Sequence, residues 1–289
     1  MISLLIIAHE EHDKLALHLP TLLSQQGTEF EVVVVDMNSD DETLSLLSAM
    51  EKKYPQLRHI SLPTSARDIS RERLALHLGM RATLSQHVII LNASTELPCA
   101  NWLIDIEKRW RADCDIMLIP TQRIRCKGLN DYINAGHEAW HNALHQRRIL
   151  RNNLYQAGTM LVGLNKELFL QHSVPAKHLA LKTGTLDIFV ANVSNKYNTI
   201  LITDKTLFPN TDANNSSLYW SQKRLFSNET NRHLPKRIRR HLTYLFHCMS
   251  TIHLGAVIYA MLDLYINIKW RFTNKKKLYQ ETLLEILHN

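Results

Sequence analysis

The sequence is poor in the residues that make a chain irregular. Its 289 residues include only 8 glycines and 8 prolines, which excludes collagen-like, fibrous and low-complexity classes. Four cysteines, Cys99, Cys114, Cys126 and Cys248, form no Cys-x-x-Cys pair. That argues against a zinc ribbon or dithiol motif, and a reducing compartment fits best. No internal repeat is present. The amino-terminal apolar run, Ile2–Ala8, is short and lacks the basic start of a secretory leader, so a cytoplasmic location is expected.

The apolar fraction is 45%, enough for a sizeable core. Net charge is +7 and the pI is near 9.2, a balance that suits a nucleotide diphosphate, an anionic lipid surface or nucleic acid. The charge is concentrated in residues 232–241 (Arg-His-Leu-Pro-Lys-Arg-Ile-Arg-Arg-His). That cluster adjoins an apolar stretch and carries no aromatic stacking pattern, so no nucleic-acid partner is expected.

Along the chain, apolar runs alternate with helical periodicity. Ile2–Ala8 reads as a strand buried on both faces, and Glu10–Gln26 as a helix with Leu15, Leu19, Leu22 and Leu23 on one face. Phe30–Val35 is a second buried strand ending in the polar turn Asp36–Asp41, where Asp40 or Asp41 can cap a helix to about Tyr54. Strands follow at Leu57–Leu62, His87–Leu91 and Asp115–Pro120. Helices lie between them at Arg67–Gln86, with Leu74, Leu78 and Ala82 on one side, and at Trp102–Ala112. Gly128 to about Tyr155 is helical and amphipathic, Gly158–Phe169 extended, Asp187–Asn195 the start of a helix and Ile200–Thr203 a strand. This alternation predicts an α/β fold, a largely parallel sheet with helices on both faces. Ligands of such sheets sit beyond the carboxyl ends of the strands, where Asp36 and Asn92–Glu96 fall.

These residues resemble the family 2 glycosyltransferases. The specific part is Ile2–Ala8 with His9-Glu10-Glu11, then Val32-Val33-Val34-Val35-Asp36-Met37-Asn38-Ser39-Asp40-Asp41. Ala75–Met80, with Arg73 upstream, and Val88-Ile89-Ile90-Leu91-Asn92-Ala93-Ser94-Thr95 extend the match. The resemblance is good over residues 1–120, looser over 150–195 and weak beyond. It implies a GT-A (Rossmann-like) domain over 1–210, mixed but mostly parallel and flanked by helices. A helical carboxy-terminal appendage would then occupy 211–289. It also implies a hexosyltransferase-type enzyme binding a nucleotide sugar through Ala8, His9, Glu10, Asp36, Asn38, Ser39, Arg73, Asn92 and Ser94. Asp187, in Thr183–Val190, stands where the family has its catalytic base, and equally suits a helix cap.

Asn92 and Ser94 depart from the family pattern, which has an Asp-x-Asp pair bridging Mn²⁺ or Mg²⁺ to the diphosphate. An Asn carbonyl and a Ser hydroxyl are weak replacements for charged oxygen ligands. Two readings stay open. If the stretch is extended, Asn92, Ser94 and Glu96 point the same way and Glu96 is the single anionic metal ligand. Otherwise Asn92 and Ser94 close a turn and Glu96 is solvated. Arg71 and Arg73 either pair with the phosphates or face solvent.

At the carboxy terminus, Leu254–Ile268 is apolar except for Asp263, with basic groups on both sides. At ~1.5 Å per residue it is shorter than the ~30 Å hydrocarbon core. It suits an in-plane or re-entrant membrane helix, or a buried helix of a soluble subdomain. The function expected is inverting transfer to a cell-surface polysaccharide or glycolipid acceptor, at the inner face of the cytoplasmic membrane. A catalytically degenerate relative that binds nucleotide or a partner is the alternative.

Overall fold

The structure is a computed structural model describing residues 1–62, 71–122, 149, 160–172, 185–211 and 261. Its strands are β1 (Ile2–Ala8), β2 (Phe30–Asp36), β3 (Leu57–Ser61), β4 (His87–Leu91), β5 (Ile116–Ile119), β6 (Leu161–Asn165) and β7 (Thr199–Leu201). Its helices are α1 (His12–Leu23), α2 (Thr43–Lys53), α3 (Arg71–Ala82), α4 (Trp102–Arg109), α5 (Lys166–Gln171) and α6 (Thr185–Val193). The strands form one 7-stranded sheet in the order β3-β2-β1-β4-β6-β5-β7. Only β6 is antiparallel to its neighbours, β4 and β5. The expected α/β, mostly parallel sheet is therefore present.

Strand alternation divides the interior in two. Leu4, Ile6, Val32 and Val34 face Leu15, Leu19 and Leu22 of α1, Leu47 of α2, and Trp102, Leu103 and Ile106 of α4. Leu5, Val33 and Val35 face Ala75, Leu76 and Met80 of α3, Phe169 of α5, and Phe189 and Val190 of α6. Burial on both faces explains why β1 and β2 are continuous apolar runs rather than alternating ones.

Several element bounds differ from expectation. Helix α1 starts at His12, because Glu10 has φ 55°, outside the right-handed helical region. In α3 the fully buried stripe is Ala75, Leu76, Gly79 and Met80, while Leu74, Leu78 and Ala82 only flank it. Its register is set by Gly79, where an added Cβ would collide with Leu5 of β1 and Val35 of β2. The stretch expected to be extended through Phe169 turns helical at Lys166. Asn165 caps that helix, its Oδ1 accepting from the Glu167 N–H at 3.0 Å.

The chain divides into two compact units, residues Met1–Ile124 with His141–Asp212, and Arg125–Trp140 with Ala213–Asn289. Apart from Met261, the second unit lies outside the described residues, as do the rest of the apolar stretch Leu254–Ile268 and, except for the helical Ile149, the expected helix from Gly128. Among the described residues, no helix is long and apolar enough to cross a membrane.

Candidate functional site

Strand order reverses between β1 and β4. The chain steps outward from β1 through β2 to β3, then returns to the other side of β1 with β4. A crevice opens beyond the carboxyl ends of strands at such a point. Ala8 and Asp36 are register partners there, and Met37 N–H donates to the Ala8 carbonyl at 2.8 Å.

Asp36 is 1% exposed. Its oxygens accept from the Ser39 N–H at 3.2 and 3.3 Å and from the Ser39 hydroxyl at 2.5 Å. The Ser39 Oγ also accepts from the Glu10 N–H at 2.9 Å. Ser39 thus ties the loop after β2 to the loop after β1. Each loop holds one residue in the left-handed region, Glu10 at φ 55° and Asn38 at φ 62°. Such conformations persist where neighbouring contacts enforce them. His9 and Glu10 are exposed, and Asn38 and Ser39 half-buried, on the same edge. The sequence residues Ala8, His9, Glu10, Asp36, Asn38 and Ser39 are therefore brought together.

Beside them lies a cavity of about 360 Å³ lined by Glu10, Glu11, His12, Asp13, Lys14, Asp41 and Glu42. Asp41 accepts from the Thr43 N–H at 3.0 Å and the His12 N–H at 3.3 Å. The N-cap of α2 is Glu42, not Asp40 or Asp41, and Asp41 just before it binds the first N–H of α2 while fastening the start of α1. Hydrogen bonds from Thr43 first, then from the His12 backbone, hold the Asp41 carboxyl below the usual range. The cavity is predominantly acidic, which repels a diphosphate and favours uncharged, hydroxyl-rich ligand parts.

On the other side of β1, the end of β4 closes as a turn. Thr95 N–H donates to the Asn92 carbonyl at 3.0 Å, and Asn92 N–H to Thr95 Oγ1 at 3.1 Å. Asn92 is exposed, Ser94 is 8% exposed and Thr95 fully buried. The extended reading, with Asn92, Ser94 and Glu96 aligned, is thereby corrected. The reason is the Asn92–Thr95 pair of hydrogen bonds, which a strand would break. Glu96 lies past the turn with its backbone paired to Asn210, N–H to O at 2.9 Å in both directions. Its side chain is exposed.

Helix α3 runs antiparallel to the strands it covers. Its last turn sits at the amino edge, where Arg58 donates to the Ala82 carbonyl at 2.7 Å. Arg71 and Arg73 in its first described turn therefore lie at the carboxyl edge, Arg71 exposed and Arg73 half-buried. Helix α6 likewise ends at the amino edge, since Asn198 just beyond it accepts from the Asp115 and Ile116 N–H groups at 2.9 Å. Its first turn, which includes residue 187, is directed to the carboxyl edge.

Sequence reasoning missed the anchors. Thr95, three residues after Asn92, was a readable turn signal. Asn210 gave none, because its pairing with Glu96 spans more than a hundred residues.

The sequence profile described as Glycosyl transferase family 2 matches residues 3–169, more than half of the chain. No curated protein matches the chain. Among solved structures, Staphylococcus aureus TarS 1-349 superposes with TM-score 0.54 at 17% identity, covering 79% of this chain and 64% of that one. This chain therefore spans just under two thirds of that 1-349 segment, and 39% of the longer TarS chain. The same protein is known in complex with UDP-GlcNAc, and matches there with TM-score 0.54 at 18% identity over 76% of this chain and 60% of that one. A mannosyltransferase from Pyrobaculum calidifontis, in complex with GDP-Man and Mn²⁺, gives TM-score 0.53 at 16% identity over 91% of this chain and 69% of that one. These likenesses establish the GT-A architecture, and the profile match establishes the family: the chain belongs to glycosyl transferase family 2.

Proposed function

We propose that the protein is an inverting glycosyltransferase that takes a sugar from a nucleoside-diphosphate sugar. The observation that carries this reading is the buried Asp36 carboxylate at the strand-order reversal, inside the family-matched segment. Solved relatives of the same fold bind UDP-GlcNAc and GDP-Man, which supports a donor of this class.

The charge distribution supports one orientation of that donor. Its base and ribose, uncharged and rich in donors, go to the loops after β1 and β2, with Asp36, Asn38 and Ser39. Its diphosphate goes away from the acidic cavity, toward the β4 turn and the arginines of α3. Asp187, near the start of α6, takes the proton of the acceptor hydroxyl. The acceptor oxygen then bonds the anomeric carbon as the bond from that carbon to the phosphate oxygen breaks. The electron pair leaves with the nucleoside diphosphate. One attack from the face opposite the leaving group inverts the anomeric centre.

The acceptor is a glycan or lipid-linked glycan at the inner face of the cytoplasmic membrane. The basic segment 232–241 beside the apolar stretch Leu254–Ile268 supports that location. Incubation with UDP- and GDP-sugars, reading released nucleotide and product anomer by NMR, tests the reading. Turnover that survives Asp187→Asn removes Asp187 as the base. Retained anomeric configuration overturns inversion.

The neutral turn Asn92–Thr95 favours a second reading, a family member that binds nucleotide without transferring sugar. Nucleotide binding with no turnover of any donor supports it against the first.

A further inference from the structure

We infer that the donor diphosphate is held at the end of β4 without a divalent cation, its charge met by arginine and neutral polar groups. The inference rests on the donor reading above. The family resemblance implies Mn²⁺ or Mg²⁺ here, and the residues present do not fit such an ion.

The ligand chemistry is wrong first. A hard divalent cation takes charged oxygen ligands in a near-octahedral or larger shell. The β4 turn offers the Asn92 carboxamide and the Ser94 hydroxyl, both neutral, and Ser94 is 8% exposed and turned inward. The local geometry is wrong second. The turn removes the strand alternation that would have brought Glu96 to the same side, and Glu96 is fastened past it to Asn210. Asn210 adds only another neutral carboxamide, and its Oδ1 is buried without a hydrogen-bond partner. Of the nearby acids, Asp36 already accepts from Ser39, and Asp41 from Thr43 and His12. Among the described residues, no group of three His, Cys, Asp or Glu side chains could hold a metal ion.

A diphosphate still needs positive charge. Arg71 and Arg73 occupy the first described turn of α3 at the same edge. A guanidinium is always charged and can bind two phosphate oxygens at once, without a metal's coordination demands. The asymmetry of the edge agrees: five acids, Glu10, Glu11, Asp13, Asp41 and Glu42, line the cavity by the β1 and β2 loops, while toward β4 and α3 the two arginines stand beside Glu72 and Glu96.

The test is nucleotide binding by the full chain, read as thermal shift with UDP, GDP, CDP or dTDP in EDTA or in Mn²⁺. Mn²⁺ binding is followed separately by loss of the free-ion EPR signal. The expected result is a nucleotide shift in EDTA that Mn²⁺ leaves unchanged within about twofold, with no nucleotide-dependent Mn²⁺ uptake. Two exposed positions serve as variants. Arg71→Gln should weaken binding in EDTA by about tenfold. Asn92→Asp should weaken it about as much by repelling the diphosphate, and Mn²⁺ should then restore it. A shift that appears only with Mn²⁺, or unchanged binding by both variants, overturns the inference and leaves the donor reading intact. No shift with any nucleoside diphosphate in either condition overturns the donor reading itself.

Discussion

Ser39 is the smallest unit on which the site depends. Its hydroxyl donates to Asp36 and accepts from the Glu10 N–H, so one oxygen couples two loops that are otherwise separate in sequence. Ser39→Ala keeps the strands and breaks only this link. Nucleotide affinity should fall about tenfold while the melting temperature moves little, as measured by calorimetry with and without UDP or GDP. Asp36→Asn is the sharper case, because it preserves shape and removes charge. It should abolish the nucleotide-induced thermal shift. A full shift in that variant would falsify the assignment of Asp36 to the nucleotide. Far from the site, Glu31 is 4% exposed, with Ser3, the Leu84 N–H and Arg58 as partners. Burial pushes its carboxyl up, but these hydrogen bonds and the Arg58 charge outweigh burial and bring it below its usual 4.5. A depressed folded-state value means that its stabilisation is present above that ordinary value. It is lost as pH falls through the lower folded value. Glu31→Ala should cost about 2–3 kcal/mol at neutral pH, and less as pH falls through the lowered folded value, by urea denaturation.

At the scale of elements, α3 is the most constrained. It lies against β1 and β2 at Gly79, and it carries Arg71 and Arg73 to the carboxyl edge. Gly79→Ala gains up to ~1 kcal/mol of helix propensity but forces a methyl into Leu5 and Val35. Overpacking of this kind costs about 1–3 kcal/mol, so a net loss of stability is expected by chemical denaturation. The displaced helix should also weaken nucleotide binding, because its first turn moves with it. Just before α2, Asp41 supports the first turn of that helix and the start of α1. This is why the acidic turn after β2 is dense in short polar residues.

For the whole molecule, charge is the organising quantity. The net +7 is not spread evenly: the cavity beside the β1 and β2 loops is acidic, and the basic cluster lies near the carboxy terminus. The full chain should bind vesicles containing phosphatidylglycerol and leave neutral phosphatidylcholine vesicles alone. Binding should weaken as salt rises from about 0.1 to 0.5 M, since the Debye length shortens from about 10 Å. Replacing Lys236, Arg237, Arg239 and Arg240 with Gln should remove most of it, at about 1 kcal/mol per charge, by co-sedimentation. Equal binding to both vesicle types would remove the basic cluster's role, and no binding to either would exclude the membrane reading.

The sequence alone determined the strands β1, β2 and β4, because burial on both faces demands continuous apolar runs, here short and bounded by polar turns. It also brought out Asp36, since a carboxylate ending such a run stands at a strand terminus. Two things only the tertiary structure decided. The first is the conformation after β4: alternation allowed a strand, and the Thr95 hydroxyl and the long-range pairing of Glu96 with Asn210 made it a turn. The second is which loops meet. Periodicity is local, whereas the order β3-β2-β1-β4 is set by how strands pair across the chain. That order brings Glu10, Asp36 and Asn92 to one edge.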